Sequence, residues 1–337
     1  PVLTRLFGRR KAWMLVTQSA TAAAILWLGV IDPVADPWLT ALAAFIVATA
    51  SATQDIVLDA YRVESLEERQ LGAGAAIFVF GYRIGMLAAG AGALYAAEFS
   101  GWEGAYTVMA ALMGIGVLAT LISPEPKRPE EVRKPGIAAA LKVAVVDPFR
   151  EFIGRSGWVT ILAFILFYKF GDAFAGTLAN AFYVDIGFTK VEIANVSKLF
   201  GLAATLVGGF IGGVMVTRMG LLPSLMVCGI LQMVSNLLFA AQAAIGPDVG
   251  FLTLTIGVEN LAGGMGTAAF IAYLSSLCDI RFTATQYALL SSVMALARTY
   301  LAASGGFLAE EMGWITFFVI STVAAVPGLL LLLKLMR

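Results

Sequence analysis

The sequence contains no histidine and only two cysteines among its 337 residues. The lack of histidine excludes imidazole metal sites, Ser-His-Asp triads and the side chain that most often shuttles protons. Cys228 and Cys278 stand alone in apolar segments, so their spacing predicts neither a disulfide nor a metal site. We therefore expect no metal, no cofactor and no enzymatic reaction.

Charge is also scarce, since only 13% of the residues are charged while 60% are hydrophobic. This composition, with a mean hydropathy of +0.87, is typical of an integral membrane protein in contact with lipid. Lys and Arg balance Asp and Glu at 22 each, and most of the cations lie in a few short loops. No nucleic-acid partner is predicted, because there is no extended basic surface.

Ten windows of mostly apolar residues are long enough to cross a bilayer, for which about 20 residues suffice. These windows are 12–31, 38–60, 71–97, 103–123, 158–184, 190–216, 222–245, 250–277, 285–309 and 314–333. The loops between them alternate in charge: one set carries Arg10, Arg128 and Arg281, and the other carries Asp32 and Glu98. By the positive-inside rule, the basic loops face the cytoplasm.

A motif recurs at a fixed distance along the chain. "AEFSGW" at 97–102 and "AEEMGW" at 309–314 share Ala-Glu-x-x-Gly-Trp, and the same shift of 212 residues places Gly8 on Gly220. Such self-similarity predicts two halves of parallel topology joined by a charged linker. The predicted organisation is an N-terminal half at 1–123, a cytoplasmic linker at 124–156 and a C-terminal half at 157–337.

The repeat also predicts a longer protein. Two spans lie between the linker and the basic turn "TRMG" at 217–220, whereas none precedes the matching "TRLFGRR" at 4–10. We therefore expect two further helices before Pro1, and we expect the 337 residues alone not to transport.

Several phrases resemble one group of transporters. "FGRRK" at 7–11 is similar to the tail of a loop motif of the major facilitator superfamily. "SATQDIVLDAYRVESLEERQLGAGAA" from Ser51, "YKFGDAFAG" from Tyr168 and "VENLAGGMGTAAFIAYL" from Val258 resemble the AmpG-type muropeptide permeases within that superfamily. The resemblance implies an all-α membrane fold of twelve helices in two pseudo-symmetric halves, with ten of the twelve present here.

The same resemblance implies a function. AmpG-type permeases import anhydro-muropeptides, that is, GlcNAc-anhydroMurNAc with or without a stem peptide, together with protons across the bacterial inner membrane. That import serves cell-wall recycling and, in some bacteria, β-lactamase induction. We predict a monomer with muropeptide, protons and membrane lipid as its partners. One alternative is a carrier of another large anion such as acetyl-CoA. Another, from a different class, is a membrane-embedded enzyme or receptor. The sequence shows no nucleophile paired with a base and no phosphate-binding loop that would support an enzyme.

Ionisable residues lie well inside the predicted spans, where an unpaired charge costs roughly 2.5–3.5 kcal/mol. They are Asp55, Asp59, Arg83, Lys169, Asp172, Lys198, Glu259 and Arg298. We expect these side chains to face an internal cavity and to pair with one another. The candidates for substrate binding are Lys169, Asp172, Lys198, Arg83, Arg298, Asn260, Gln54 and Tyr82.

Asp55 and Asp59 are separated by one helical turn and share a helix face. Their repulsion and partial desolvation favour protonation of one of them, and without histidine a carboxylate is the natural proton carrier. We expect Asp55, Asp59 and Glu259 to be the proton-coupling candidates; the competing interpretation is that the two aspartates brace the loop at 62–70. A cytoplasmic gate is predicted at Arg9, Arg62, Arg69 and Arg218.

Two interpretations of Lys169, Asp172 and Lys198 stay open. A lysine can hold a carboxylate of the substrate while the neighbouring Asp172 neutralises it when the site is empty. Alternatively, Asp172 forms a permanent salt bridge with Lys169 or with Lys198 that holds two helices together.

Overall fold

A computed structural model of the chain describes residues 2–126, 142–296, 299–300 and 305–337. Regular structure within these ranges is helical, without a strand. Arg298 and much of the predicted linker, residues 127–141, lie outside the described residues.

The helices before the linker are α1 (Val2–Phe7), α2 (Arg9–Gly29), α3 (Pro37–Ser65), α4 (Leu71–Leu87) and α5 (Ala93–Ile122). A 3-10 turn at Glu68–Gln70 and a π-helical turn at Ala88–Gly92 flank α4. Pro37 lies in the first turn of α3, where its missing N–H costs nothing and its fixed φ favours the helix.

The later helices are α6 (Asp147–Ile153), α7 (Trp158–Tyr168), α8 (Phe170–Asp185), α9 (Lys190–Ile193), α10 (Gly201–Met219), α11 (Leu221–Ile245), α12 (Val249–Ser276), α13 (Thr283–Leu296), α14 (Gly305–Ala324) and α15 (Val326–Leu335). π-Helical turns at Lys142–Val146 and Ala194–Phe200 lead into α6 and α10. Asp248 begins α12 by accepting a hydrogen bond from the backbone N–H of Phe251 at 2.6 Å.

Seven segments among the described residues are long and apolar enough to cross a membrane. They are Arg9–Gly29, Pro37–Ser65, Glu68–Ile122, Trp158–Asp185, Lys190–Met219, Leu221–Ile245 and Gly305–Leu335. Glu68–Ile122 contains 55 residues, far more than the ~20 that one crossing needs, and it holds both predicted spans at 71–97 and 103–123. The predicted span 250–277 coincides with α12, and 285–309 begins with α13. The chain is thus an all-α, multi-pass membrane protein.

The sequence repeat is also a repeat of backbone conformation. Gly101 has φ 71° and ψ 177° inside α5, and Gly313 has φ 73° and ψ 164° inside α14. Gly8 and Gly220, at the starts of α2 and α11, have φ 90° and 86° with ψ 175° and 170°. Residues that carry a side chain rarely adopt such positive φ values, so glycine is required at these helix breaks. The recurring Gly-Trp motif therefore marks the same break twice.

Small residues allow α10 and α12 to pack closely. A methyl group at Gly208 would collide with the carbonyl of Leu261, and one at Gly212 would lie 2.5 Å from the Met265 carbonyl oxygen. From the other side, a methyl group at Gly264 would collide with the carbonyl of Thr205. Backbone contact at this distance leaves no room for a side chain, so the glycines set the spacing of the two helices.

An aromatic cluster joins α8, α11 and α14. The Phe182 and Phe318 ring centroids lie 4.8 Å apart, and those of Phe239 and Phe318 lie 5.0 Å apart. Phe174 and Phe317 extend the cluster, and all five side chains are buried. Aromatic pairs at these distances add to the stability gained from burial alone.

The chain divides into two compact units. One unit comprises Pro1–Leu66, Gly81–Pro135 and Asp279–Tyr287, and the other comprises Glu67–Phe80, Gly136–Cys278 and Ala288–Arg337. The predicted boundaries at 123 and 157 follow chain order instead, and that division into halves stays a prediction.

Candidate functional site

A buried carboxylate at the end of α3 collects three polar partners in the first unit. The side chain of Glu64 is 1% exposed and accepts hydrogen bonds from Arg9 at 3.2 Å and from the Nε of Arg10 at 2.9 Å. The hydroxyl of Thr283, 219 residues away in sequence, donates to Glu64 at 2.5 Å and also accepts from Arg10 at 3.1 Å. Glu64, Arg9, Arg10 and Thr283 are here called the Glu64 cluster. The cluster joins the C-terminus of α3 to the N-termini of α2 and α13.

Local structure explains why these residues meet. The helix break at Gly8 places Arg9 and Arg10 in the first turn of α2, and α3 continues to Ser65, so Glu64 reaches the same level. Thr283 is the first residue of α13.

A second carboxylate holds the start of α2. The two oxygens of Glu125 accept hydrogen bonds from the backbone N–H groups of Arg10 at 2.8 Å and Lys11 at 3.1 Å. A carboxylate at a helix N-terminus satisfies free N–H groups and the positive end of the helix dipole. The Nζ of Lys11 also donates to the carbonyl of Leu121 at 2.9 Å. The segment after α5 thus fixes the orientation of Arg9 and Arg10.

Arg62 forms a neighbouring contact in the same unit. Its guanidinium donates to Asp59 at 3.0 Å, and its Cζ lies 5.1 Å from the centre of the Tyr287 ring. Asp59 therefore pairs with Arg62, one of the predicted gate residues. Arg62 is 8% exposed, so a planar cation is held between a carboxylate and an aromatic ring.

The other two predicted gate residues belong to the second unit and differ in character. Arg69 pairs with Glu67 at 2.7 Å, but both side chains are largely exposed. Arg218 is exposed in the last turn of α10 and lines a groove of about 330 Å³ with Ala73 and Phe210. These residues lack the burial of the Glu64 cluster, and exposed ion pairs contribute little to stability.

Four candidates for proton coupling or substrate binding in the first unit lie as adjacent pairs on two helices, Gln54 and Asp55 on α3 and Tyr82 and Arg83 on α4. Asp55 is exposed on α3 and has neither a hydrogen bond nor an ion pair with any described residue. Gln54 is partly buried beside it, and Tyr82 on α4 is 62% exposed. Arg83 is partly buried, and its Nε has no hydrogen-bond acceptor among the described residues.

The second unit contains a partly buried ion pair at a helix break. The Nζ of Lys169 lies 2.9 Å from Asp172, and the two side chains are 17% and 20% exposed. Lys169 interrupts the helix between α7 and α8, and it also lies 3.4 Å from the side-chain oxygen of Gln232 on α11. The amide nitrogen of Gln232 donates to the carbonyl of Ala262 on α12 at 3.0 Å. This polar chain connects three spans.

Lys198 does not join that ion pair. It donates instead to the side chain of Asn180 at 3.2 Å, in an exposed position. Of the two salt bridges that the sequence allowed for Asp172, the structure contains the one with Lys169.

Asn260 links α12 to α10. Its side-chain oxygen accepts from the hydroxyl of Thr205 at 2.8 Å, and its nitrogen donates to the neighbouring Glu259 at 2.6 Å. The same nitrogen lies 3.1 Å from the carbonyl oxygen of Ile256. Glu259 is therefore oriented by a residue that is itself fixed between two helices.

Comparison with known proteins agrees with this architecture. Residues 1–174 match the family model described as Major Facilitator Superfamily. The chain belongs to the Major Facilitator Superfamily. The chain is 43% identical over 330 residues to the anhydromuropeptide permease of Escherichia coli K12, covering 97% of this chain and 66% of that protein, just under two thirds of its length. It is 37% identical to "Putative transporter AmpG 4" of Rickettsia conorii, covering 99% of this chain and 81% of the relative.

Solved structures of the superfamily share the fold. A variant of the E. coli fucose:proton symporter FucP has a TM-score of 0.73 at 14% identity, over 99% of this chain and 85% of that one. The proton:xylose symporter XylE has a TM-score of 0.72 at 12% identity, over 100% and 82% of the two chains. The predicted fold class and the resemblance to AmpG-type proteins are thus confirmed.

Sequence reasoning missed several residues that the site of this superfamily member contains. Glu64 and Glu125 lie in charged segments that are typical of solvated loops, and Thr283 carries no signal by itself. Among the partners of Glu64, Arg9 was predicted as a gate residue, and Arg10 was noted as a cation in a basic loop. Each missed residue acts through a partner more than 25 positions away, which a pattern along the chain does not reveal.

Proposed function

We propose that the protein is a proton-coupled transporter that carries anhydro-muropeptides across the bacterial inner membrane into the cytoplasm. The observation that carries this proposal is the 43% identity to an anhydromuropeptide permease over 97% of the chain. Cell-wall recycling and β-lactamase induction are the roles expected of such import.

Lys169 is the proposed anchor for a substrate carboxylate. Muropeptides carry lactyl or peptide carboxylates, and the ammonium of Lys169 lies at a helix break beside Asp172 and Gln232. A substrate carboxylate that displaces Asp172 keeps the ammonium of Lys169 paired with a carboxylate in both states. Arg83 offers a second cation in the first unit, where its Nε has no acceptor among the described residues.

Asp55 is the proposed proton carrier. Asp59 is occupied by Arg62, whereas Asp55 on the same helix face has no partner among the described residues. A carboxylate without a fixed cation can gain and lose a proton without breaking a structural contact. Glu259, which Asn260 orients, is the second candidate.

The Glu64 cluster is the proposed core of the cytoplasmic gate. Thr283 contributes from beyond the predicted linker, while Arg9, Arg10 and Glu64 precede it. Opening the gate requires the hydroxyl of Thr283 to leave Glu64, which then keeps its arginines as partners.

Uptake into proteoliposomes tests the proposal. Radiolabelled GlcNAc-anhydroMurNAc is supplied outside, with and without an inward proton gradient. It is offered to the chain extended by the two N-terminal helices that the repeat predicts, here called the parent, and to its variants Asp55→Asn and, as a matched control, Glu98→Gln. We expect gradient-driven uptake by the parent and the control, and only exchange without a gradient response by Asp55→Asn. An equal gradient response in Asp55→Asn would show that the proton is carried elsewhere. Uptake of acetyl-CoA without uptake of the disaccharide would overturn the substrate assignment.

A further inference from the structure

One face of the helix that precedes the second half is apolar and exposed. The π-helical turn Lys142–Val146 and α6 form a continuous helical stretch, here called the linker helix. Its exposed apolar side chains, each between 38% and 53% exposed, are Val143, Val145, Val146, Phe149 and Ile153. A face of this kind in water would be costly, so it needs an apolar neighbour.

The opposite face is fixed to the protein. Phe152 is 1% exposed, and Pro148 is buried beside it. Arg155 pairs with Glu151 at 2.7 Å, lies 5.2 Å from the centre of the Phe152 ring and donates to the carbonyl of Leu277 at 2.5 Å. These contacts set the rotation of the linker helix, and its exposed face therefore has a definite direction.

The linker helix lies close to the membrane surface. It ends at Ile153, and the membrane-spanning segment Trp158–Asp185 begins only five residues later. The intervening residues span at most about 15 Å even when extended. Its apolar side chains therefore lie within reach of the lipid that surrounds that segment.

Two cations border the apolar face. Lys142 and Arg150 are exposed, and neither side chain forms a hydrogen bond or ion pair with any described residue. Apolar side chains flanked by lysine and arginine are the composition of helices that lie in the interface of anionic membranes. The basic loops face the cytoplasm by the positive-inside rule, and the cytoplasmic leaflet is rich in anionic lipid.

We propose that the linker helix is an interfacial anchor: Val146, Phe149 and Ile153 insert into the headgroup region of the cytoplasmic leaflet, and Lys142 and Arg150 bind anionic lipid phosphates. Because Arg155 joins the linker helix to the end of α12, the anchor also positions that helix end at the membrane surface. This inference does not depend on the substrate of the transporter.

Spin labels at two positions test the anchor. In a variant with both cysteines replaced by alanine, one label replaces Phe149 on the apolar face and another replaces Asp147 on the far side of the helix. The protein is reconstituted in vesicles of phosphatidylethanolamine and phosphatidylglycerol, or of phosphatidylcholine alone. Accessibility to oxygen, which concentrates in lipid, is compared with accessibility to a water-soluble nickel chelate.

We expect the label at 149 to be accessible to oxygen and shielded from nickel in the anionic vesicles, and the label at 147 to show the reverse. Lys142→Gln with Arg150→Gln, or neutral vesicles, should lower the ratio of inserted to detached helix by roughly five-fold per cation. A label at Val146 repeats the test at a side chain that is 53% exposed, so that the substitution removes little buried contact.

Three results would overturn the proposal. Equal nickel accessibility at 149 and 147 would place the helix in water. Shielding of 149 from both reagents would show that protein, such as a second copy of the chain, covers this face. Insertion that is unchanged in neutral vesicles and in the double glutamine variant would exclude anionic lipid as the partner of the two cations.

Discussion

The hydroxyl of Thr283 offers a clean perturbation of the proposed gate. Thr283→Val removes the hydroxyl and keeps the shape of a side chain that is 1% exposed. The change deletes the bond donated to Glu64 and the bond accepted from Arg10, while the ion pairs of Glu64 with Arg9 and Arg10 remain. The perturbation is therefore confined to the contact that opening must break.

The size of the effect follows from the geometry. A hydrogen bond to a charged group contributes roughly 1.5–3 kcal/mol, and the two bonds share one hydroxyl. Because Glu64 keeps its arginines, the lower part of that range applies, and we expect the closed arrangement to lose about 2 kcal/mol. That loss lowers the ratio of closed to open gate by roughly 30-fold, at 1.4 kcal/mol per factor of ten.

Distance measurements between two spin labels report the gate. Labels at Ser65 and Ile280, both exposed and next to the Glu64 cluster, are placed in a cysteine-free background. Thr283→Val should shift the distance distribution toward longer values, and Thr283→Ser, which keeps the hydroxyl, should resemble the parent. If the valine and serine variants both show the parent distribution, the hydroxyl does not hold the gate and the reasoning fails.

Two further predictions concern the second unit. Gly208→Ala should lower the thermal midpoint and destabilise the protein by roughly 1–3 kcal/mol, because its methyl group meets the Leu261 backbone, whereas Gly263→Ala, with no atom within 4 Å, should be neutral. Lys169→Met should destabilise by roughly 2–3 kcal/mol by leaving a largely buried Asp172 unpaired, and Asp172→Asn in the same chain should restore most of the stability but not uptake. Equal destabilisation by the single and double variants would contradict a paired charge.

Much of the fold was predictable because membrane insertion is a property of local composition. Apolar windows of about 20 residues must form helices to satisfy their backbone in lipid, and each predicted window overlaps helices among the described residues, although several boundaries differ. The repeat was equally local: the Ala-Glu-x-x-Gly-Trp motif contains the glycine that breaks each helix, at Gly101 and Gly313.

The candidate site was predictable only in part. Residue type and depth made Lys169, Asp172 and Asp55 candidates, because an unpaired charge in an apolar span is costly, and their functional roles stay predictions. The i,i+3 spacing predicted the Lys169–Asp172 pair, which the structure contains. Spacing left the partner of Lys198 open, however, because rotation of one helix against another depends on packing of the whole unit.

The sequence by itself determined that this is a multi-pass membrane protein, where its helices lie and to which family it belongs, because each follows from composition or from local phrases. Only the tertiary structure decided that Glu64 gathers Arg9, Arg10 and Thr283, and that Glu125 holds the start of α2. The physical reason is distance along the chain: these contacts join residues 54 to 219 positions apart. Their energy comes from shared burial, and burial exists only once the helices have packed.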